Sequence, residues 1–514
     1  MIVPLTLSDF LERAELVYGD REAVVDEPNP PGGGLGRLSY GQFAEMARSL
    51  AATLDDLGVA ENDRVAIVSP NAARFLVSLF GVSVFGRTLV PVNFRLHPEE
   101  VRYIMEHSGS SVLLVDPELD EALRQIPVKH RFVLGSATDQ QLFLRKGAKP
   151  RLQVTDENAT VSINYTSGTT ARPKGVQLTH RSFWLNAVTF GWHLGMTDRD
   201  IYLHTLPTFH CNGWGMPYAV TGIGARQVII RKIDGEEILR RIAAEGVTLF
   251  NAAPAVIAAV IDAAAARRHK GVEVPGRGRM RVVIAGAPPP SKTIERIETE
   301  LGWEFIQIYG LTETSPLLTI NRAPAEWDGL DPAERARRLS RAGVPAVGVR
   351  MRVDEEGEVL ARSNHVFEGY WNQPEETSKA IVDGWFHTGD GGFGEGPFIA
   401  ISDRKKDVII TGGENVSSIE VEDCLYQHPA VAEAAVIGVP DPKWGETIKA
   451  LVVLRPRASA TEKELVEHCR SRMAHYKCPT SIELRDALDR TATGKLQKFK
   501  LREPYWAGRE RKVN

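Results

Sequence analysis

Val161-Ser162-Ile163-Asn164-Tyr165-Thr166-Ser167-Gly168-Thr169-Thr170-Ala171-Arg172-Pro173-Lys174-Gly175-Val176-Gln177-Leu178-Thr179 concentrates more chemistry than any other part of the chain. Val161, Ile163 and Tyr165 alternate with Ser162 and Asn164 as a strand does. Val176-Gln177-Leu178 resumes an extended pattern before Thr179 and a helix from His180 onward. Between the two, hydroxyls, glycines and one lysine crowd a single loop. Glycines let backbone N–H groups approach an oxyanion, hydroxyls add donors, and the lysine brings a mobile positive charge, which together make a phosphate grip. The order of residues is not that of a Walker A loop, since Lys174 precedes Gly175 and no hydroxyl follows it. A Gly/Ser/Thr run also suits a plain polar connection, so the surroundings must separate the two readings.

Outward from this loop the chain alternates strands and helices. Arg64-Val65-Ala66-Ile67-Val68 reads as a strand, 71–85 as a helix, Thr88-Leu89-Val90-Pro91-Val92 as a strand, 101–107 as a helix and Val112-Leu113-Leu114-Val115 as a strand. The scheme recurs with a helix over 238–244 leading into Val247-Thr248-Leu249-Phe250, and with Arg281-Val282-Val283-Ile284 entering the turn Ala285-Gly286-Ala287-Pro288. The pattern predicts an α/β fold, with ligands collecting at the carboxyl ends of strands. Pro28 to Gly36 reads as a surface turn, and the charged segment 326–342 as an exposed helix without a chemical role.

Bulk properties bound the class. At 514 residues the chain exceeds what one core usually organises, so two or three units are expected. Apolar residues at 43% and charged ones at 25% are ordinary for a globular protein, and a net charge of -4 gives no reason to expect nucleic acid. No apolar run approaches the roughly 20 residues needed for a transmembrane segment. Cys211, Cys424, Cys469 and Cys478 are scattered without a CxxC pair, which argues against a zinc site or disulfide framework and suits a reducing cytosol. Met1 to Asp9 lacks a signal-peptide layout and Lys512-Val513-Asn514 is not an SKL-type address, so a cytoplasmic location is expected.

The loop resembles the signature loop of the adenylate-forming enzymes, the family of acyl-CoA synthetases, firefly luciferase and peptide-synthetase adenylation domains. By that resemblance Thr166, Ser167, Gly168, Thr169, Thr170 and Lys174 close over the β- and γ-phosphates of ATP. Ile308-Tyr309-Gly310-Leu311-Thr312-Glu313-Thr314 resembles the family segment in which the tyrosine stacks on adenine, the threonine touches the α-phosphate and the glutamate holds Mg²⁺, with Thr166 as its second ligand. These roles are physically sensible, since an aromatic face binds a purine and a hard dication prefers oxygen ligands. Asp390, in Trp385-Phe386-His387-Thr388-Gly389-Asp390, lies where the family places the carboxylate that binds the ribose diol, and Arg404 resembles the arginine that also reaches the ribose. Between them Gly391 to Gly396 departs from the family pattern, a change expected in a hairpin rather than in the ribose contacts.

The resemblance implies a large multi-subdomain amino-terminal adenylation domain over 1–405 and a small mobile α+β carboxyl-terminal domain over 406–514, hinged at Lys406. A helix over 419–425, strands over 434–437 and 450–453, and a helix over 462–473 suffice for the small unit. Lys495 matches the lysine that the family inserts for the first half-reaction, and Gly412, Gly413 and Trp444 line the passage for the thiol of coenzyme A in the second. His204 to Trp214 resembles the segment that gates the acyl pocket of fatty acyl-CoA synthetases: His210 abuts the reacting groups, Asn212 and Trp214 meet the acid, and Gly286, Ala287 and Pro288 lie between adenine and acyl chain. Cys211 beside His210 has no partner pattern that would make it a nucleophile. The implied activity is ATP- and Mg²⁺-dependent acyl-CoA synthesis from a hydrophobic carboxylic acid, a medium- or long-chain fatty acid. Catalysis rests on Lys495, Glu313, Thr166 and His210. Short-chain, sulfur-containing or aryl acids, and transfer to a carrier protein, are the alternatives; a homodimer is compatible with the family.

Overall fold

Short apolar strands that are hydrophobic on both faces must be covered on both, and the intervening helices do this. The computed structural model of the chain describes residues 1–166, 173–286, 289–404, 407, 409–411, 414–441, 444–490 and 496–507, with backbone alone at 402–404 and 414–415. Among these residues, one sheet runs Gly369–Tyr370, Lys174–Thr179, Thr160–Thr166, Thr88–Val92, Arg64–Val68, Val112–Val115, His130–Val133. It is parallel except at the first two pairings. A larger sheet carries the parallel strands Glu304–Gly310, Arg281–Ile284, Leu249–Ala252, Ile201–His204, Arg226–Ile229 and Glu22–Val25, extended by antiparallel strands at both edges. One continuous core joins the two sheets, filled by Phe43 and Leu50 of helix Tyr40–Asp56, Phe75 and Phe80 of Ala73–Ser83, Phe183 and Phe190 of His180–Leu194, and Tyr218 of Met216–Ile223.

The forecast strands Arg64–Val68, Thr88–Val92, Val112–Val115 and Arg281–Ile284 are found as read. The helix expected from residue 71 starts at Ala73 instead. Asn71 is spent elsewhere: its Nδ2 donates to the carbonyls of His204 and Leu206, both at 2.8 Å, and its Oδ1 accepts from Thr208. The helix forecast over 101–107 begins at Pro98, where His97 forms a capping box with Glu100. The strand forecast over 247–250 is shifted to Leu249–Ala252. The segment 326–342 is not one exposed helix. Asp331 and Pro332 start a new helix, Pro332–Leu339, which buries Ala336 and Leu339, while Arg338 and Arg341 lie over the Trp327 ring. The glycine-rich departure does form a hairpin, with Trp385–Glu395 pairing antiparallel to Phe398–Arg404.

Towards the carboxyl end, helix Ser418–Tyr426, the long hairpin Val431–Asp441 and Gly445–Leu454, and helix Glu462–Arg470 enclose their own cores. The strands are longer than forecast because cross-strand pairing carries them past the apolar run. Asp423 of the first helix accepts from the Ser291 N–H at 2.9 Å and from its hydroxyl at 3.1 Å, joining this unit to helix Ser291–Arg296. No helix among the described residues is long and apolar enough to cross a membrane.

Candidate active site

Strands Thr160–Thr166 and Lys174–Thr179 pair in a register that sets Thr166 opposite Lys174 at the mouth of the signature loop. Ser167, Gly168, Thr169 and Thr170 lie outside the described residues. Lys174 Nζ contacts Glu376 at 2.5 Å and lies 4.9 Å from the centre of the Tyr370 ring. The lysine beside it, assisted by Lys379, holds the Glu376 carboxyl down to about 2. Tyr370 sits on the edge strand next to Lys174–Thr179 and donates its hydroxyl to Glu313 Oε1 at 3.0 Å. Burial first, and the adjacent Glu313 second, push the Tyr370 phenol up, so it stays a donor. Lys174, Tyr370 and Glu313 are thereby drawn into one group from three distant segments. Glu376 and Tyr370 were missed from sequence; the signal was the aromatic run Phe367-Glu368-Gly369-Tyr370-Trp371 in polar surroundings.

Glu313 stands in the short turn Thr312–Thr314, after strand Glu304–Gly310. Gly310 has a steric reason to be glycine, because a Cβ there would lie 1.6 Å from the Pro316 carbonyl oxygen. Tyr309 donates to Asp390 Oδ2 at 2.9 Å, bringing the adenine and ribose candidates together. Asp390 is buried and its backbone stands directly across the hairpin from Arg404, whose side chain lies outside the description. The turn before Asp390 is braced: the Gly389 N–H donates to Glu358 at 2.9 Å, and the other Glu358 oxygen meets His387 at 3.2 Å. With Asp354 these two form the one group among the described residues whose carboxylate and imidazole atoms lie within 4.8 Å of one another. Glu313 stands apart from it, and offers with Thr166 the carboxylate and hydroxyl oxygens that a small hard dication takes beside phosphate; this donor chemistry fits Mg²⁺.

The acyl segment leaves strand Ile201–His204 and makes an unusual turn. Cys211, Asn212, Gly213, Trp214 and Gly215 all have positive φ, from 48° to 70°. Left-handed geometry costs about 1–2 kcal/mol for each non-glycine residue, so the surroundings must impose it. They do so through buried amides. Asn212 Oδ1 accepts from Asn164 at 3.1 Å, its Nδ2 donates to Tyr218 at 3.0 Å and Ser162 at 3.2 Å, and Asn186 donates to the Trp214 carbonyl at 3.1 Å. Asn212, expected against the acid, thus gives its carboxamide to the scaffold. His210 enters the turn half-buried, Trp214 is buried, and Cys211 Sγ lies 4.0 Å from the Thr312 carbonyl, tying the acyl segment to the nucleotide motif. Burial pushes the Cys211 thiol up, which disarms it as a nucleophile.

Gly286 is exposed and left-handed, with φ 94°, just past strand Arg281–Ile284. Ala287 and Pro288 lie outside the described residues, as do Lys406, Gly412, Gly413 and Lys495. Trp444 is half-exposed at the tip of the long hairpin, its N–H donating to Asp441 at 2.9 Å.

Comparison with known proteins matches residues 11–371 to the AMP-binding enzyme family and residues 420–495 to the AMP-binding enzyme C-terminal domain. The chain is 35% identical to 4-hydroxybutyrate–CoA ligase 2 of Metallosphaera sedula, over 96% of this chain and 93% of that protein. It is likewise 35% identical to a 2-methylpropanoate–CoA ligase of Humulus lupulus, over 97% and 95% of the two. An anthranilate CoA ligase solved with anthranoyl-AMP superposes with a TM-score of 0.87 at 27% identity, covering 98% of each chain. The o-succinylbenzoate-CoA synthetase of Bacillus subtilis, solved with ATP and a magnesium ion, gives a TM-score of 0.80 at 26% identity, over 96% and 99%.

Proposed function

This chain belongs to the AMP-binding enzyme family, as an ATP-dependent acyl-CoA ligase working through an acyl adenylate, and we propose that the acid it activates is a short-chain one. The observation that carries the choice of acid is the polarity of the lining under the acyl segment. Tyr202, His204 and Asn251 are all buried on the sheet face that meets this segment. His204 is satisfied by Gln227, but a long alkyl tail would strand the Tyr202 hydroxyl and the Asn251 carboxamide against hydrocarbon, whereas a short acid leaves them to water or to its own polar atoms. Relatives named for 4-hydroxybutyrate and 2-methylpropanoate support the same reading. The medium- or long-chain fatty acid expected from the motifs is the second reading.

In this reading Tyr309 stacks on adenine, Asp390 and Arg404 hold the ribose, and Thr166, Ser167 to Thr170 and Lys174 grip the outer phosphates. Glu313 and Thr166 hold Mg²⁺, which supplies positive charge to the phosphate oxygens. An acid oxygen attacks the α-phosphorus, the bond to pyrophosphate breaks, and Lys495 offsets the charge that develops between two anions. The unit over 406–514 then turns at Lys406, so that Gly412, Gly413 and Trp444 line the approach of coenzyme A. The thiol gives up its proton to water, its sulfur attacks the acyl carbon beside His210, and AMP leaves with the electrons of the broken acyl–phosphate bond. No protein nucleophile is needed.

Acid-dependent exchange of pyrophosphate into ATP, followed by AMP release on adding free coenzyme A, tests this directly. The panel runs from acetate to palmitate, with benzoate and cinnamate. Best turnover at acetate to pentanoate is expected; best turnover at palmitate would return the assignment to fatty acids. Exchange without AMP release on adding coenzyme A would mean a carrier protein takes the acyl group.

A further inference from the structure

Building on the acyl-CoA ligase reading, we propose that the preferred acid carries a hydrogen-bonding substituent, a hydroxyl or carbonyl, and that the Asn251 carboxamide selects it. Asn251 lies on strand Leu249–Ala252, in register with Val283 of the neighbouring strand and one step beyond the pairing of Phe250 with Leu203. That step puts it beside His204, where the acyl segment begins. Its side chain shares a sheet face with Leu249 and Val283, whose core also contains Leu206, Phe209 and Trp214. Its own backbone carbonyl accepts the hydroxyl of Thr205, the second residue of that segment.

Asn251 is fully buried, yet neither its Nδ2 nor its Oδ1 has a hydrogen-bond partner among the described residues. The surrounding amides are treated differently. Asn71, Asn164, Asn186 and Asn212 all have partners, and Gln227 donates to Thr221 at 3.1 Å while its oxygen meets His204 at 2.9 Å. Gln307 leaves only its oxygen unpaired, on the opposite face of the sheet with Ile284, whereas Asn251 has both polar atoms unpaired among the described residues and faces the ligand segment, which leaves that amide for the ligand, because an unpaired buried amide is heavily penalised. The Tyr202 hydroxyl, buried on the same face of the next strand, also lacks a partner among the described residues. A carboxamide both donates and accepts, so it can take a hydroxyl in either sense or a carbonyl as acceptor.

The test compares butyrate with its 3-hydroxy, 4-hydroxy and 3-oxo derivatives in the full-length wild type, in Asn251→Leu and in Asn251→Asp. In the wild type at least one substituted acid should exceed butyrate in kcat/KM by about tenfold or more, because a site built to bond a polar group discriminates strongly against the analogue lacking it. Asn251→Leu should abolish that preference, bringing the kcat/KM ratio of each substituted acid to butyrate to about one or below, and should raise the melting temperature of the ligand-free protein. Asn251→Asp should retain preference for a hydroxy acid over the oxo acid, since a carboxylate only accepts. Equal use of all four acids by the wild type, or an unchanged ratio in Asn251→Leu, would overturn the proposal and leave the ligase assignment intact. Absence of pyrophosphate exchange with every acid would instead overturn the ligase reading on which it rests. If Asn251→Leu fails to fold, the Asp variant and the wild-type ratio still decide.

Discussion

Lys174 meets a carboxylate before it meets a phosphate. Its contact with Glu376 is partly exposed, at 19% and 33% of the two side chains, so solvent screens the pair and leaves it weak. In the proposed role of Lys174, incoming phosphate displaces that partner. Glu376→Gln should therefore lower the KM for ATP about two- to fivefold, read from pyrophosphate exchange at varied ATP. A raised KM would mean that Glu376 positions the lysine instead of competing for it. Tyr309, Glu313 and Asp390 sit inside contiguous motifs and were singled out there as candidates, and the structure brings Tyr309 and Asp390 within 2.9 Å. Tyr370 was not legible, because its value lies in a hydroxyl directed at Glu313 from a strand far along the chain.

Among elements, the turn after strand Glu304–Gly310 and the left-handed turn at Cys211 to Gly215 carry the site. Gly310→Ala should destabilise by on the order of 3 kcal/mol, since the new methyl must move backbone and not a flexible side chain. Gly394→Ala, in the hairpin, has nothing within 4 Å of the new methyl and should change stability by less than about 0.5 kcal/mol. Paired thermal melts check both, and similar shifts would refute the steric account. Strands were readable because β-branched runs have few other uses. The left-handed turn was only partly so, since Asn212-Gly213 favours positive φ locally but nothing local asks it of Cys211 and Trp214; there it is imposed by amides on other elements. Helix edges failed for a related reason, as at Asn71, whose side chain serves the acyl segment and not its own helix.

Across the molecule, buried histidines set the response to acid. Burial pushes His180 and His204 down to about 4; the first accepts the Leu7 N–H at 3.2 Å, and the second pairs with Gln227. Their pKa is lower folded than unfolded, so between about pH 6.5 and 4 the unfolded chain binds more protons. Stability should hold above pH 7 and fall through that window, each histidine contributing on the order of 3 kcal/mol by pH 4. Melting temperature against pH measures this, and His180→Gln should flatten the slope; an unchanged slope would assign the acid sensitivity elsewhere. The proposed turn of the small unit over 406–514 about Lys406 belongs to this scale too. Lys495→Ala should cut adenylate formation by about a hundredfold or more while sparing thiolation of supplied acyl adenylate. Equal loss in both half-reactions would remove Lys495 from its assigned step.

Read alone, the chain of residues already specified alternating strands and helices through local periodicity, and it carried contiguous motifs whose resemblance to the adenylate-forming enzymes implied the family. Folding alone decided which carboxylate Lys174 meets, which amides hold the acyl turn left-handed, and that Asn251 is buried without a partner among the described residues. These are pairings between segments separated by tens to hundreds of residues, and their energies come from burial and close approach, which exist only once the sheets have packed.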